Sequence, residues 1–132
     1  MIVSTKGRYA LRVMVNFAQR DREEYVPLKE IAEQEGISQK YLESIMSSLS
    51  KAGFVDAVHG KGGGYRLNRS PEEYTVGSIL KLTEGSIDAV APGNQAGGTS
   101  AKPMWDRLNR MIDEFFEDIT LADLLSDSFH QQ

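Results

Sequence analysis

The chain contains no cysteine. Disulfides, thiolate-held metals and cysteine nucleophiles are excluded together. Histidine is nearly as scarce: His59 and His130 are the only two, and they stand far apart. No imidazole metal site is expected from them. No run approaches the roughly 18 apolar residues that a membrane-spanning helix needs. The opening residues MIVSTKGRYALRVMV place their charges after the first apolar residues, against the basic, apolar, small-residue order of a secretory signal. A cytoplasmic protein with no membrane partner is the expectation. Paired titratable residues at catalytic spacing are also missing. Asp113, Glu114, Glu117 and Asp118 read as the solvated face of a helix, so neither an enzyme nor a metal site is expected.

Positive charge is in short supply overall. The net charge of −4 by itself speaks against a nucleic-acid binder, but its distribution is uneven. Residues 1–70 carry 11 Lys and Arg against 8 Asp and Glu, whereas residues 71–132 carry 4 against 11. A mildly basic front is joined to an acidic back. The 132 residues suggest one domain with a modest core.

Apolar periodicity organises the front. Tyr9, Val13 and Phe17, with Met14 and Ala18, form one stripe of a helix over residues 4–20, capped by Ser4 or Thr5. DREEY reads as an exposed turn. VPLKEIAEQEGIS is a short helix stopped by Gly36. Ser38 caps the next helix, QKYLESIMSSLSKAG, whose buried stripe is Tyr41, Leu42, Ile45, Met46 and Leu49. Helix, tight glycine turn, helix is the outline of a helix-turn-helix. FVDAVHGKGGGYRLNR follows, with β-type segments at 54–58 and 65–67 around a glycine-rich turn. A hairpin directly behind such a second helix is a wing. Thr75 or Ser70 caps a helix with Val76, Ile79, Leu80 and Leu82. Residues 86–104 have no period and read as a flexible loop. The clearest helix then begins, with Trp105, Leu108, Met111, Ile112, Phe115, Phe116 and Ile119 at helical spacing, and Thr120 opens a short terminal segment with Leu121, Leu124 and Leu125. The predicted fold is mainly α, a winged helix-turn-helix over 1–85, an effector loop over 86–104, and a long C-terminal dimerisation helix with its tail over 105–132.

Three stretches suit DNA. The second helix of a helix-turn-helix lies in the major groove with its first turns on base edges. Ser38, Gln39, Lys40, Tyr41, Glu43 and Ser44 occupy those turns. Gln pairs with adenine, Glu accepts from cytosine, and Ser and Tyr reach bases or phosphates. The wing tip offers His59, Gly60, Lys61 and Gly62, with Arg66 beside it. Bare backbone there permits a tight reversal and close approach to a phosphate. It lacks the order of a nucleotide-binding P-loop. At the first helix start, Ser4, Thr5, Lys6 and Arg8 combine hydroxyls, cations and free N–H groups suited to phosphate. The apolar stripe of the last helix suits a symmetric homodimer. Phe115 and Phe116 are adjacent, so one can cover the domain while the other meets a partner.

STKGRYALRVM, VPLKEIAEQEGISQKYLESIMSSLSKAGFV, GKGGGYRL, TVGSILKLTEG and PMWDRLNRMIDEFFEDITLADLL together resemble the Rrf-two (Rrf2) family of bacterial winged-helix regulators. The resemblance spans nearly the whole chain. It implies a homodimeric transcription factor that binds a double-stranded DNA operator, usually as a repressor. Several members hold an iron–sulfur cluster through three cysteines in the loop before the dimerisation helix. Here that loop carries no cysteine and no histidine, and Thr99 falls about where the last cysteine would be. No cofactor is expected, because Ala, Thr and Gln cannot replace thiolates on a cluster. Either this member answers another signal or cysteines have been replaced, with Ala91, Ala96 and Ala101 the positions that raise the second idea. In a cysteine-poor branch of the family, control comes from a partner enzyme, cysteine synthase, so the resemblance also suggests a regulatory protein partner. The resemblance also places His59 where other members put a minor-groove arginine, which would weaken that contact or pass it to Lys61. Glu43 matches a recognition-helix glutamate that influences base preference. The competing reading is a protein-interaction module on a winged-helix scaffold, contacted through its acidic half.

Overall fold

Ser4, Ser38, Thr75 and Thr120 each end an extended stretch and start a helix. Their side chains accept the N–H of Gly7, Tyr41, Ser78 and Asp123 respectively, which satisfies one of the unpaired donors every helix start presents. These caps punctuate the chain in a computed structural model that describes residues 3–89 and 99–126. In order the elements are α1 (Thr5–Ala18), α2 (Leu28–Glu35), α3 (Gln39–Lys51), β1 (Val55–Val58), β2 (Gly64–Leu67), α4 (Val76–Glu84), α5 (Lys102–Glu117) and α6 (Leu121–Leu125). Short 3-10 turns precede α4 and α5 at Pro71–Glu73 and Thr99–Ala101.

The stripes read from the sequence meet in one core. Ala10, Val13, Met14 and Phe17 of α1 pack with Ile31 and Ala32 of α2, Leu42, Ile45, Met46 and Leu49 of α3, and Ile79 of α4. Each large side chain buried this way contributes about 1.5–3 kcal/mol of transfer free energy. β1 and β2 pair antiparallel, with Val55 opposite Leu67 and Val58 opposite Gly64. Val26, just ahead of α2, adds a third partner. Its N–H donates to the Tyr65 carbonyl at 2.8 Å, and the Tyr65 N–H donates back at 2.9 Å. This single antiparallel bridge tethers the two-stranded wing to the segment ahead of α2, and a hairpin of this length needs such packing for stability.

Tyr74 ties the wing to α4. It is fully buried, and its hydroxyl accepts the N–H groups of Asn68 and Arg69, both at 3.2 Å, while donating to the Phe54 carbonyl at 2.8 Å. Burial pushes its pKa up, against the lowering pull of those backbone donors.

The C-terminal segment divides into a long helix and a short one that Thr120 opens. α5 starts at Lys102, inside the stretch expected to be loop, because Pro103 sits in the first turn, where a missing N–H costs nothing. It ends at Glu117, and the chain turns back. The Leu121 N–H donates to the Tyr74 carbonyl at 3.0 Å, and the Val76 N–H donates to the Ile119 carbonyl at 2.8 Å. Leu121 of α6 is fully buried in the main core. A capping box between Thr120 and Asp123 fixes this reversal. Residues 90–98, which hold Ala91 and Ala96, and the tail with His130 lie outside the described residues.

Candidate nucleic-acid interface

The α2–α3 turn is set by local chemistry. Gly36 adopts φ 67°, ψ 33°, a left-handed conformation that costs glycine least. The Ile37 N–H then closes onto the Ala32 carbonyl at 3.0 Å, and Ile37 is buried. A polar clasp from α1 holds α2 from behind. Arg12 donates to the Glu35 carbonyl at 2.8 Å and pairs with its carboxylate at 3.2 Å. Asn16, buried, donates to Gln34 and Glu35 and accepts from Arg20. These bonds consume the polar groups of α2 that face α1.

The first turns of α3 are different. Ser38, Gln39, Lys40, Glu43 and Ser44 are exposed. The side chains of Gln39, Lys40 and Glu43 make no hydrogen bond or ion pair among the described residues. Ser47 is exposed one turn further along the same face. Sequence reasoning stopped short of it, although its spacing from Glu43 and Ser44 gave the signal. Tyr41 is half-buried and meets Tyr9 of α1 edge-to-face, with ring centroids 5.9 Å apart. It therefore locks the start of α3 against α1. Ser38 spends its hydroxyl oxygen on the cap.

α3 passes through Ala52–Phe54 into the wing. His59, Gly60, Lys61 and Gly62 are exposed at its tip. The Gly63 N–H closes the turn onto the Gly60 carbonyl at 3.0 Å. The three successive glycines divide their work in a way the sequence did not disclose. Gly62 supplies a positive φ of 79°. A Cβ on Gly63 would lie 2.1 Å from the Val58 carbonyl oxygen, and one on Gly64 would lie 2.3 Å from the Val26 carbonyl oxygen. The last two thus serve close backbone packing inside the wing. Arg66 is turned away from the tip. Its guanidinium lies 4.3 Å from the centre of the Tyr25 ring and donates to the Glu23 carbonyl at 3.2 Å.

At the start of α1, Ser4 is already occupied. Its N–H and hydroxyl both donate to Glu84 at the end of α4, at 2.8 and 2.5 Å. Thr5 and Arg8 are exposed and joined at 3.3 Å, and Lys6 is half-buried. Thr5, Arg8, Tyr9 and Arg12 line a shallow hollow of about 200 Å³.

The expected dimer stripe splits between two uses. Ile112, Phe116 and Ile119 pack against the small cluster of Val76, Leu80 and Ile87 within the chain. Trp105 and Leu108 are half-buried. Met111 and Phe115 stay exposed at 57% and 59%, joined by Met104 at 55%, which the sequence reading assigned to the loop. Nor is the acidic face of α5 simply solvated. Lys81 of α4 pairs with Asp113 at 2.7 Å and Glu117 at 3.1 Å, and these bonds, Asp113's first, raise its pKa. Thr75 donates to Glu117 at 3.1 Å.

Among the described residues, no group of three or more His, Cys, Asp or Glu is placed to hold a metal. No helix there is long and apolar enough to cross a membrane. Comparison with known proteins gives the fold a family. The model for Rrf2, an iron-dependent transcriptional regulator, matches residues 3–127. An HTH-type transcriptional regulator IscR from Aliivibrio salmonicida is 40% identical across 100% of this chain and 82% of its own length. Two solved structures share the architecture. CymR, the global cysteine regulator of B. subtilis, has a TM-score of 0.82 at 35% identity, covering 94% of this chain and 95% of that one. IscR of T. potens has a TM-score of 0.78 at 37% identity, covering 100% and 91%. These relatives are regulators, not enzymes. The donor set of this chain does not fit an iron–sulfur cluster of the kind held by cysteine thiolates, since it has no cysteine. With a helix-turn-helix, a wing and relatives of this kind, the chain belongs to the Rrf2 family of winged-helix transcriptional regulators.

Proposed function

We propose that the chain reads an operator as a homodimer, with Gln39, Lys40, Glu43, Ser44 and Ser47 of α3 on base edges in the major groove and the His59–Gly62 tip on the adjoining backbone or minor groove. The observation that carries this is the open polar face at the start of α3, in the helix that runs directly into the wing. Gln39, Lys40 and Glu43 are exposed and unpaired among the described residues. Donors and acceptors left free at the start of a recognition helix are what base readout requires. Thr5, Lys6 and Arg8 flank the same end of α3 through the Tyr9–Tyr41 contact and serve phosphates. Ser4, held by Glu84, orders the α1 start for them.

The dimer forms through Met104, Leu108, Met111 and Phe115 of α5. A two-fold axis there sets two α3 helices on half-sites about one helical turn, roughly 34 Å, apart. No iron–sulfur cluster takes part, and regulation proceeds without one. The test is selection of duplexes from a random-sequence pool, followed by footprinting on the winner. The expected result is a palindromic site protected as two half-sites, with affinity unaffected by an iron chelator. A single unpaired half-site at saturation, or affinity that requires iron, overturns this reading.

A further inference from the structure

Arg66 invites a phosphate contact from sequence, yet its surroundings assign it another task. Three consecutive residues of β2 meet the segment ahead of α2. Gly64 lies flush on the Val26 carbonyl, Tyr65 exchanges both backbone hydrogen bonds with Val26, and Arg66 stacks on Tyr25 while donating to the Glu23 carbonyl. Across the hairpin its ladder partner is Asp56. Gly62 lies four positions before Arg66, in the turn ahead of β2. The guanidinium is therefore engaged at the root of the wing, on the same segment that leads through Pro27 into α2.

We propose that Arg66 is a positioning residue: its guanidinium pins β2 to the Glu23–Val26 segment and so fixes the angle of the wing tip against the helix-turn-helix. A planar guanidinium suits this role because it stacks on a ring face and donates in its own plane at the same time. A lysine ammonium offers charge without the plane. A short hairpin depends on such packing for its order, and Tyr25 supplies the only aromatic face that Arg66 touches among the described residues. The inference rests on the DNA-reading assignment above.

The experiment uses the full chain and the duplex recovered by selection, with four single variants, one double variant, and amide exchange in the absence of DNA. Arg66→Ala, Arg66→Lys and Tyr25→Ala are each expected to weaken binding by about tenfold. Tyr25→Phe, which keeps the ring, binds as the parent does. Combining Arg66→Ala with Tyr25→Ala adds nothing, because both break one contact. In the free protein, the Tyr65 amide exchanges faster in Arg66→Ala while the melting temperature holds. The proposal is overturned if Arg66→Lys binds normally and Tyr25→Ala is silent, which marks a charge contact with phosphate. It is equally overturned if all variants bind like the parent, or if the melting temperature falls in step with affinity. If the parent chain binds no duplex from the pool, the DNA-reading assignment itself fails, and that is seen before any variant is made.

Discussion

Phe115 and Phe116 are neighbours in sequence with opposite fates, and their truncation separates assembly from folding. Phe115 is 59% exposed on α5. Taking about 200 Å² for the side chain, roughly 120 Å² of apolar surface is open to a partner. At about 25 cal/mol per Å², and discounted because interface area never converts in full, Phe115→Ala removes about 2 kcal/mol per protomer. Two-fold symmetry doubles that to about 4 kcal/mol, or about a 1000-fold weaker dimer. Phe116 instead packs on Val76, Leu80 and Ile87. Phe116→Ala leaves a partial cavity and costs about 2 kcal/mol of folding stability. Sedimentation equilibrium over a dilution series reads the first effect. Thermal unfolding at concentrations where the parent is monomeric reads the second without linkage to assembly. An unchanged dimer in Phe115→Ala refutes the reasoning, as does a monomer melting temperature that falls as far as in Phe116→Ala.

Two further predictions concern the wing and its anchor. Gly64→Ala drives a methyl group into the Val26 carbonyl, which is backbone and cannot step aside. It should break the Val26–Tyr65 pairing and speed exchange of both amides, while α3 keeps its protection. Tyr74→Phe leaves the Phe54 carbonyl and the Asn68 and Arg69 amides short of a partner, at a cost of about 1–3 kcal/mol by chemical denaturation at neutral pH. Because burial raises the Tyr74 pKa above 10.0, its contribution is complete below that value. It is lost as pH rises further, when the unfolded chain releases its proton first. The parent should therefore lose stability more steeply than Tyr74→Phe above pH 10.0.

Local signals were legible and non-local ones were not. Stripes at three- and four-residue spacing placed α1, α3 and α4, and Ser38, Gly36 and Thr75 marked boundaries, because caps and left-handed turns are written in single residues. Thr120 marks the start of the last short segment, but the reversal after α5 also depends on Asp123 and on a backbone pairing with residues 74–76, which no period reveals. Asp113 and Glu117 look solvated along their own helix, and only the approach of α4 brings Lys81 between them. The same holds for Gly63 and Gly64. A glycine run announces that something passes close, but not whether that is DNA or the chain's own Val58 and Val26. Met104 was hidden by its place beside Pro103, which reads as loop until the proline is seen in the first turn of α5.

The most direct test of DNA reading by α3 and the wing reverses charge at Lys40 and Lys61, both exposed. The double variant Lys40→Glu/Lys61→Glu and the parent are titrated with the selected duplex across a range of salt. The expected parent slope of log affinity against log salt is steep, with each phosphate contact adding about 0.9. The variant should sediment as the same dimer yet bind the duplex no better than unrelated sequence. Full duplex affinity in that variant, at an unchanged slope, would contradict the assignment of α3 and the wing tip to DNA.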